Sequence, residues 1–173
     1  MRKKQSNHKR NKLEQLELPL TRIDRNAIKA WRITGFFTGL LLYLIPGFTS
    51  IFYFKEDSPL WITLVAIVLA LSIHILLTVV FPKVRWNRWS YDVSEQAVDL
   101  HRGIIIQTRT VVPINRIQHV DTKKGPIYRR FGLSSISIST AATTHEIPAL
   151  DDNTASEMRT LISELVRKVK EDV

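Results

Sequence analysis

The chain of 173 residues contains no cysteine. That excludes a disulfide framework, a thiolate zinc site and a cysteine nucleophile. Glycine and proline are scarce, at six and seven residues, which excludes a collagen-like or low-complexity chain. No run of glycines is arranged to cradle a phosphate, so the nucleotide-binding loops are missing too. The most informative shortage is of charge. Segments 33–54 and 60–81 have 22 residues each and not one Asp, Glu, Lys or Arg.

These two segments hold 14 and 18 apolar residues. As helices each is roughly 33 Å long, against a hydrocarbon core of about 30 Å. A soluble chain of this size cannot build a core large enough to cover both. The link Lys55-Glu56-Asp57-Ser58-Pro59 is short and charged, so it turns the chain back at one membrane surface. The expected unit at 33–81 is an antiparallel transmembrane hairpin with an external loop at 55–59. The first segment is longer than a signal-peptide core, and no small-residue cleavage site follows it.

The formal charge of +9 is mostly local, because residues 1–32 carry ten Lys and Arg against three Asp and Glu. Lys83, Arg85 and Arg88 follow the second segment, whereas the link has only Lys55. Positive charge collects on the cytoplasmic side, so both termini are expected there. The mean hydropathy of −0.04 is then a cancellation between greasy spans and polar flanks. Trp31, Trp86 and Trp89 fall at the inner boundary, and Tyr53 and Trp61 at the outer one, where amphipathic rings prefer to lie.

Residues 1–32 read as a basic cytoplasmic arm. Its first twelve residues have the composition of a disordered segment, and act as a topology signal or as an anionic-lipid contact. The arm lacks the aromatic interleaving of a nucleic-acid binder. Thr21–Arg32 reads as a short interfacial helix capped by Thr21 or Asp24. In the first span Gly35 and Gly39 form a small-xxx-small pair, suited to close packing within the hairpin or between protomers. Pro46-Gly47 is expected to kink this helix. His74 has no acidic partner in either span, which favours hydrogen bonding across the hairpin over a proton relay.

After Pro82 the pattern changes to short β segments. They fall at Trp89–Val93, Ala97–Ile106 with an interruption at Arg102-Gly103, Thr108–Pro113, Arg116–Thr122, Ser134–Thr140 and His145–Ile147. Gly125–Gly132 reads as a short helix, with Pro126 at its start and a glycine beyond its end. The last segment repeats apolar residues from Ala155 to Val169 at helical spacing. Asp151–Asn153 and the pair Thr154 and Glu157 offer its cap. The fold class is therefore α+β with a membrane hairpin. Two transmembrane helices precede an antiparallel meander or barrel of the pleckstrin-homology (PH) type at 83–173, closed by an amphipathic helix.

Two spans followed by Thr108–Pro113, Arg116–Asp121, Gly125-Pro126, Arg130–Leu133 and His145–Pro148 resemble the YdbS-type bacterial PH domain family. The resemblance covers about residues 28–170. It implies a PH-like fold on the cytoplasmic side of a multi-pass hairpin in a bacterial cell membrane, with no established activity and no agreed ligand. It also implies a larger relative with several such domains, and hence a membrane complex.

Candidates for chemistry are few. His119 and Asp121 share a strand face and, with His101 or His145, make a weak metal set. Ser134–Ser139 lacks a nucleophile elbow. No enzyme, metal or cofactor is expected. Arg116, Lys123, Lys124, Arg129 and Arg130 surround the Gly125-Pro126 turn and are the candidate contacts to lipid or a partner. The domain carries 14 basic against 11 acidic residues, so this is a local feature. The leading expectation is a membrane module for protein–protein interaction, with a multi-PH-domain relative or a second copy as partner. The alternatives are anionic-lipid sensing and an accessory role in transport, export or antimicrobial-compound resistance. A periplasmic-reporter fusion at residue 57 should be active and one at residue 173 silent; an active fusion at 173 would overturn this topology.

Overall fold

The computed structural model describes residues 21–56 and 60–171. The basic run at 1–12, the rest of the arm to residue 20 and the turn at 57–59 lie outside the described residues.

Both uncharged segments are helical. Ala27–Leu40 (α1) passes through a 3-10 turn at Leu41–Tyr43 into Leu44–Glu56 (α2). Leu60–Ile75 (α3) passes through a π-helical turn at Leu76–Val80 into Phe81–Asn87 (α4). The 3-10 turn lies just before Pro46, which has no N–H to return to the preceding turn. Ala27–Ile51 and Leu60–Asn87 are long and apolar enough to cross a membrane, and only 11% and 6% of their apolar windows are buried. Phe37, Leu44, Phe48, Trp61 and Val68 all stand outward. Hydrocarbon is the solvent that accepts such a surface, because the helices satisfy their own backbone groups.

Within the hairpin the two glycines admit the second helix. A Cβ on Gly35 would meet the Leu77 carbonyl oxygen at 2.4 Å, and one on Gly39 would meet His74 Cδ2 at 2.5 Å. The imidazole of His74 fills the space above Gly39 and packs on the rings of Phe36 and Tyr43, with centroids 5.3 and 5.6 Å away.

The domain contains two antiparallel sheets. The first has the order β1 (Thr21–Arg22), β2 (Ser90–Val93), β3 (Ala97–Arg102) and β4 (Thr108–Pro113). The second has the order β5 (Ile117–Lys123), β6 (Leu133–Thr140) and β7 (Thr144–Asp151). Among the described residues no ladder joins the two sheets, and the strands follow the expected antiparallel meander of the PH type. A short helix α5 (Pro126–Arg130) bridges β5 and β6, and α6 (Asp152–Glu171) closes the core.

Several expectations need correction. Thr21 and Arg22 are not helical; they pair with Tyr91 and Ser90. The helix starts at Ala27, and Asp24 turns the chain before it by accepting the Asn26 N–H at 2.7 Å. The ladder gives this stretch the backbone partners that a fraying interfacial turn would lack. Strand β3 stops at Arg102, because Gly103 adopts φ +123. Ile104–Ile106 therefore form a loop, not more strand. Strand β7 runs past Pro148 to Asp151. The register shifts opposite it between Ser134 and Ile136, and Ala149 has φ +51. This bulge accommodates the proline that would otherwise end the ladder. The bulge carbonyl of Ala149 accepts the Asp24 N–H at 3.0 Å, which links the end of β1 to the second sheet.

The core gathers Val98, Leu100, Ile114, Ile136, Ile138, Ile147 and Ile162, all 0–1% exposed. Ile23, Ala27 and Ala30 from the start of the first span join the same core. The small alanines let the helix approach the sheets. Strand β6 is buried on both faces, since Ser135 and Ser137 are only 3% exposed. Helix α6 is capped by Asp151, whose carboxylate accepts the Asn153 N–H at 3.0 Å. Thr154 is already helical, so the Thr154–Glu157 box is not the cap. Leu161, expected in the apolar stripe, stays exposed.

Gly39→Leu should separate the spans, because the added side chain collides with His74. It should lower the unfolding temperature in nanodiscs, whereas Gly47→Leu, with nothing within 4 Å of its Cβ position, should not. Equal effects would show that Gly39 has no packing role.

Candidate functional site

The domain meets the hairpin through two tryptophans. Trp31 on α1 donates its Nε1 hydrogen to the Tyr128 hydroxyl of α5 at 2.9 Å. The Arg85 guanidinium of α4 lies 4.2 Å above the Trp31 ring. Trp86 Nε1 donates to the carbonyls of Ile23 and Asp24, both at 3.1 Å. Arg22 and Arg25 stack on the Trp86 ring at 5.3 and 6.0 Å. These cation–π contacts and hydrogen bonds tie α1 and α4 to each other and to the domain. Burial pushes the Tyr128 phenol above its ordinary pKa, so it stays protonated.

The inner aromatic belt is thereby reassigned. Trp31 and Trp89 are 8% and 6% exposed, and they pack inside the protein. Trp61 at the outer boundary is 63% exposed. The Tyr53 side chain lies outside the described residues.

Two clefts open along this seam. One of about 420 Å³ is lined by Trp31, Arg85, Trp89, Arg102 and Glu146 among others. A second of about 320 Å³ brings Lys123 and Gly125 beside Thr34 of the first span. The β5–α5 turn is therefore at the membrane end of the domain. The five basic residues around it do not act alike. Lys124 forms an ion pair with Asp152 at the start of α6. The same carboxylate accepts the Ser134 hydroxyl at 2.6 Å. These two partners hold Asp152 below the usual carboxylate range. Lys124 thus fastens α6 to the sheet. Arg116 sits in a 3-10 turn at the opposite end of β5 from Lys123, roughly 20 Å away at strand rise. Arg129 and Arg130 are exposed on α5.

The histidines are scattered. His119 and Asp121 are exposed on β5. His101 Nε2 lies 3.5 Å from Asp99 Oδ1. Burial, with Arg102 nearby, holds the His145 imidazole below its ordinary pKa. Among the described residues no three His, Asp or Glu side chains are grouped to hold a metal ion.

One surface was invisible in the sequence. Strand β5 pairs only with β6 among the described residues, so its other edge is open. A groove of about 410 Å³ runs between Val120 of this strand and Arg159, Thr160, Ser163, Glu164 and Arg167 of α6. Alternation identifies a strand, but nothing local reports which strand ends a sheet.

The family described as Bacterial PH domain matches residues 40–166. The chain is 36% identical over 157 residues to the UPF0699 transmembrane protein YdbS of Bacillus subtilis (strain 168), covering 91% of this chain and 99% of that protein. It is 26% identical over 102 residues to the UPF0699 transmembrane protein YdbT of the same organism, covering 59% of this chain and 21% of that longer one. No solved structure matches the chain.

Tyr128→Phe strands the buried Trp31 N–H and should cost about 1–3 kcal/mol. Combined with Trp31→Phe, the loss should fall short of the sum by at least about 0.5 kcal/mol. Unfolding in nanodiscs measures both; strict additivity would show that the bond does not couple the span to the domain.

Proposed function

The chain belongs to the bacterial PH domain family of membrane proteins, and from that premise we propose that it is a non-enzymatic docking module. Its PH-like domain faces the cytoplasm and takes up an extended segment of a partner along β5. The partner is a larger membrane relative of the same family or a second copy of this chain.

The open edge of β5 beside the α6 groove carries this reading. An edge strand offers unpaired N–H and C=O groups, and added strands bind through them, while a neighbouring groove reads side chains. Val120 supplies an apolar floor, and Arg159, Glu164 and Arg167 supply both signs of charge along the wall. The charge bias of the flanks supports the cytoplasmic placement. The match to a fifth of YdbT supports a partner built from related parts.

A photo-reactive phenylalanine in place of Thr160 should crosslink to that relative or to a second copy in native membranes. Thr160→Arg with Ser163→Arg fills the groove from exposed helix positions. It should reduce the complex at least severalfold while leaving the unfolding temperature unchanged. A complex that survives the filled groove intact would refute docking on β5.

A further inference from the structure

The loop after Gly103 is apolar, and it stands out into solvent. Ile105 is 95% exposed and Ile106 79% exposed, more than any large apolar side chain described on the lipid-facing spans. The loop is not loosely built. Gly103 has φ +123, and a Cβ there would lie 1.8 Å from the Ile106 carbonyl oxygen. The backbone closes on itself and pushes the isoleucines outward. Its base lies at the end of the second span: Gly103 and Ile104 share a small cleft with Phe81 and Arg85. Phe81 continues the lipid-facing surface of α3.

A basic recess lies on the other side of the same loop. It encloses about 400 Å³ and is lined by Arg88, His101, Arg102 and Arg109, with Asn87 and Gln107 as further donors. Arg109 is occupied by Asp99, whose Oδ2 accepts from its Nε and Nη2 at 2.8 and 2.6 Å. Among the described residues Arg88 and Arg102 have no carboxylate within ion-pair distance.

We infer that the β3–β4 loop is a membrane wedge: Ile105 and Ile106 insert into the bilayer beside the second span, and Arg88 and Arg102 receive the phosphates of anionic headgroups. Continuity with the span decides the occupant. An apolar tip whose base lies beside Phe81 reaches the acyl boundary without any motion of the domain. Burying two isoleucines there removes apolar surface from water and favours the contact. Two arginines near an anionic surface add electrostatic attraction. This membrane contact is separate from the β5 groove and holds whether or not that groove docks a partner.

The absence of cysteine makes the test direct. Full-length protein carrying Ile105→Cys, labelled with an environment-sensitive fluorophore, is placed in vesicles of phosphatidylglycerol and phosphatidylethanolamine. A second protein carries the label through Ala142→Cys, in the exposed β6–β7 turn. At position 105 the emission should shift to the blue, spin-labelled acyl chains should quench it, and iodide quenching should be several-fold weaker than at 142. Arg88→Gln with Arg102→Gln should reduce that protection in these vesicles but not in phosphatidylcholine. Equal iodide access at 105 and 142 would overturn the wedge. So would a label at 105 shielded from both quenchers in proportion to protein density, which would signal a protein contact. Protection indifferent to lipid charge would overturn the headgroup role.

Discussion

Everything in this structure depends on the pairing of β1 with β2. Thr21 faces Tyr91 and Arg22 faces Ser90, so the chain leaves the sheet, makes two membrane-length helices and returns beside its point of departure. A hairpin inserted between neighbouring strands is flanked by strand ends fixed about one strand spacing apart, roughly 5 Å. That demand explains the glycines. Helices anchored so close at one end must stay close along their length, and Gly35 and Gly39 provide the room.

The same constraint makes the domain a rigid extension of the spans. Trp86 clamps the entry strand, Trp31 reaches α5, and Arg85 covers Trp31. Ile23, Ala27 and Ala30 belong at once to the first span's approach and to the domain core. Among the described residues no long linker separates the membrane part from the domain. The faces turned to the membrane and away from it are therefore set by the fold, and so are the positions of the β3–β4 loop and the β5 edge.

The large elements were legible because they are periodic. The spans showed as uncharged runs, α6 as a helical stripe, and β6 as an alternation. What escaped was short or depended on distant partners. Two residues of β1 have no period, and their strand exists only because β2 returns to them. Tryptophans near a span boundary read as a lipid belt by position alone, yet the burial of Trp31 follows from Tyr128, 97 positions away. Ile104–Ile106 has strand composition, but one glycine dihedral turns it into a loop. The basic cluster looked continuous because sequence neighbours were counted together. Pairing with Asp152 sets Lys124 apart, and the length of β5 sets Arg116 apart.

Synthesis adds a consequence. The ribosome delivers β1 before either span and β2 only after both. A chain that inserted a single helix would leave these strands on opposite sides of the bilayer. The core that Ile23 and Ala27 join would then be incomplete, and quality-control proteases act on such exposed cores. Completion of the sheet thus serves as a receipt for correct membrane insertion.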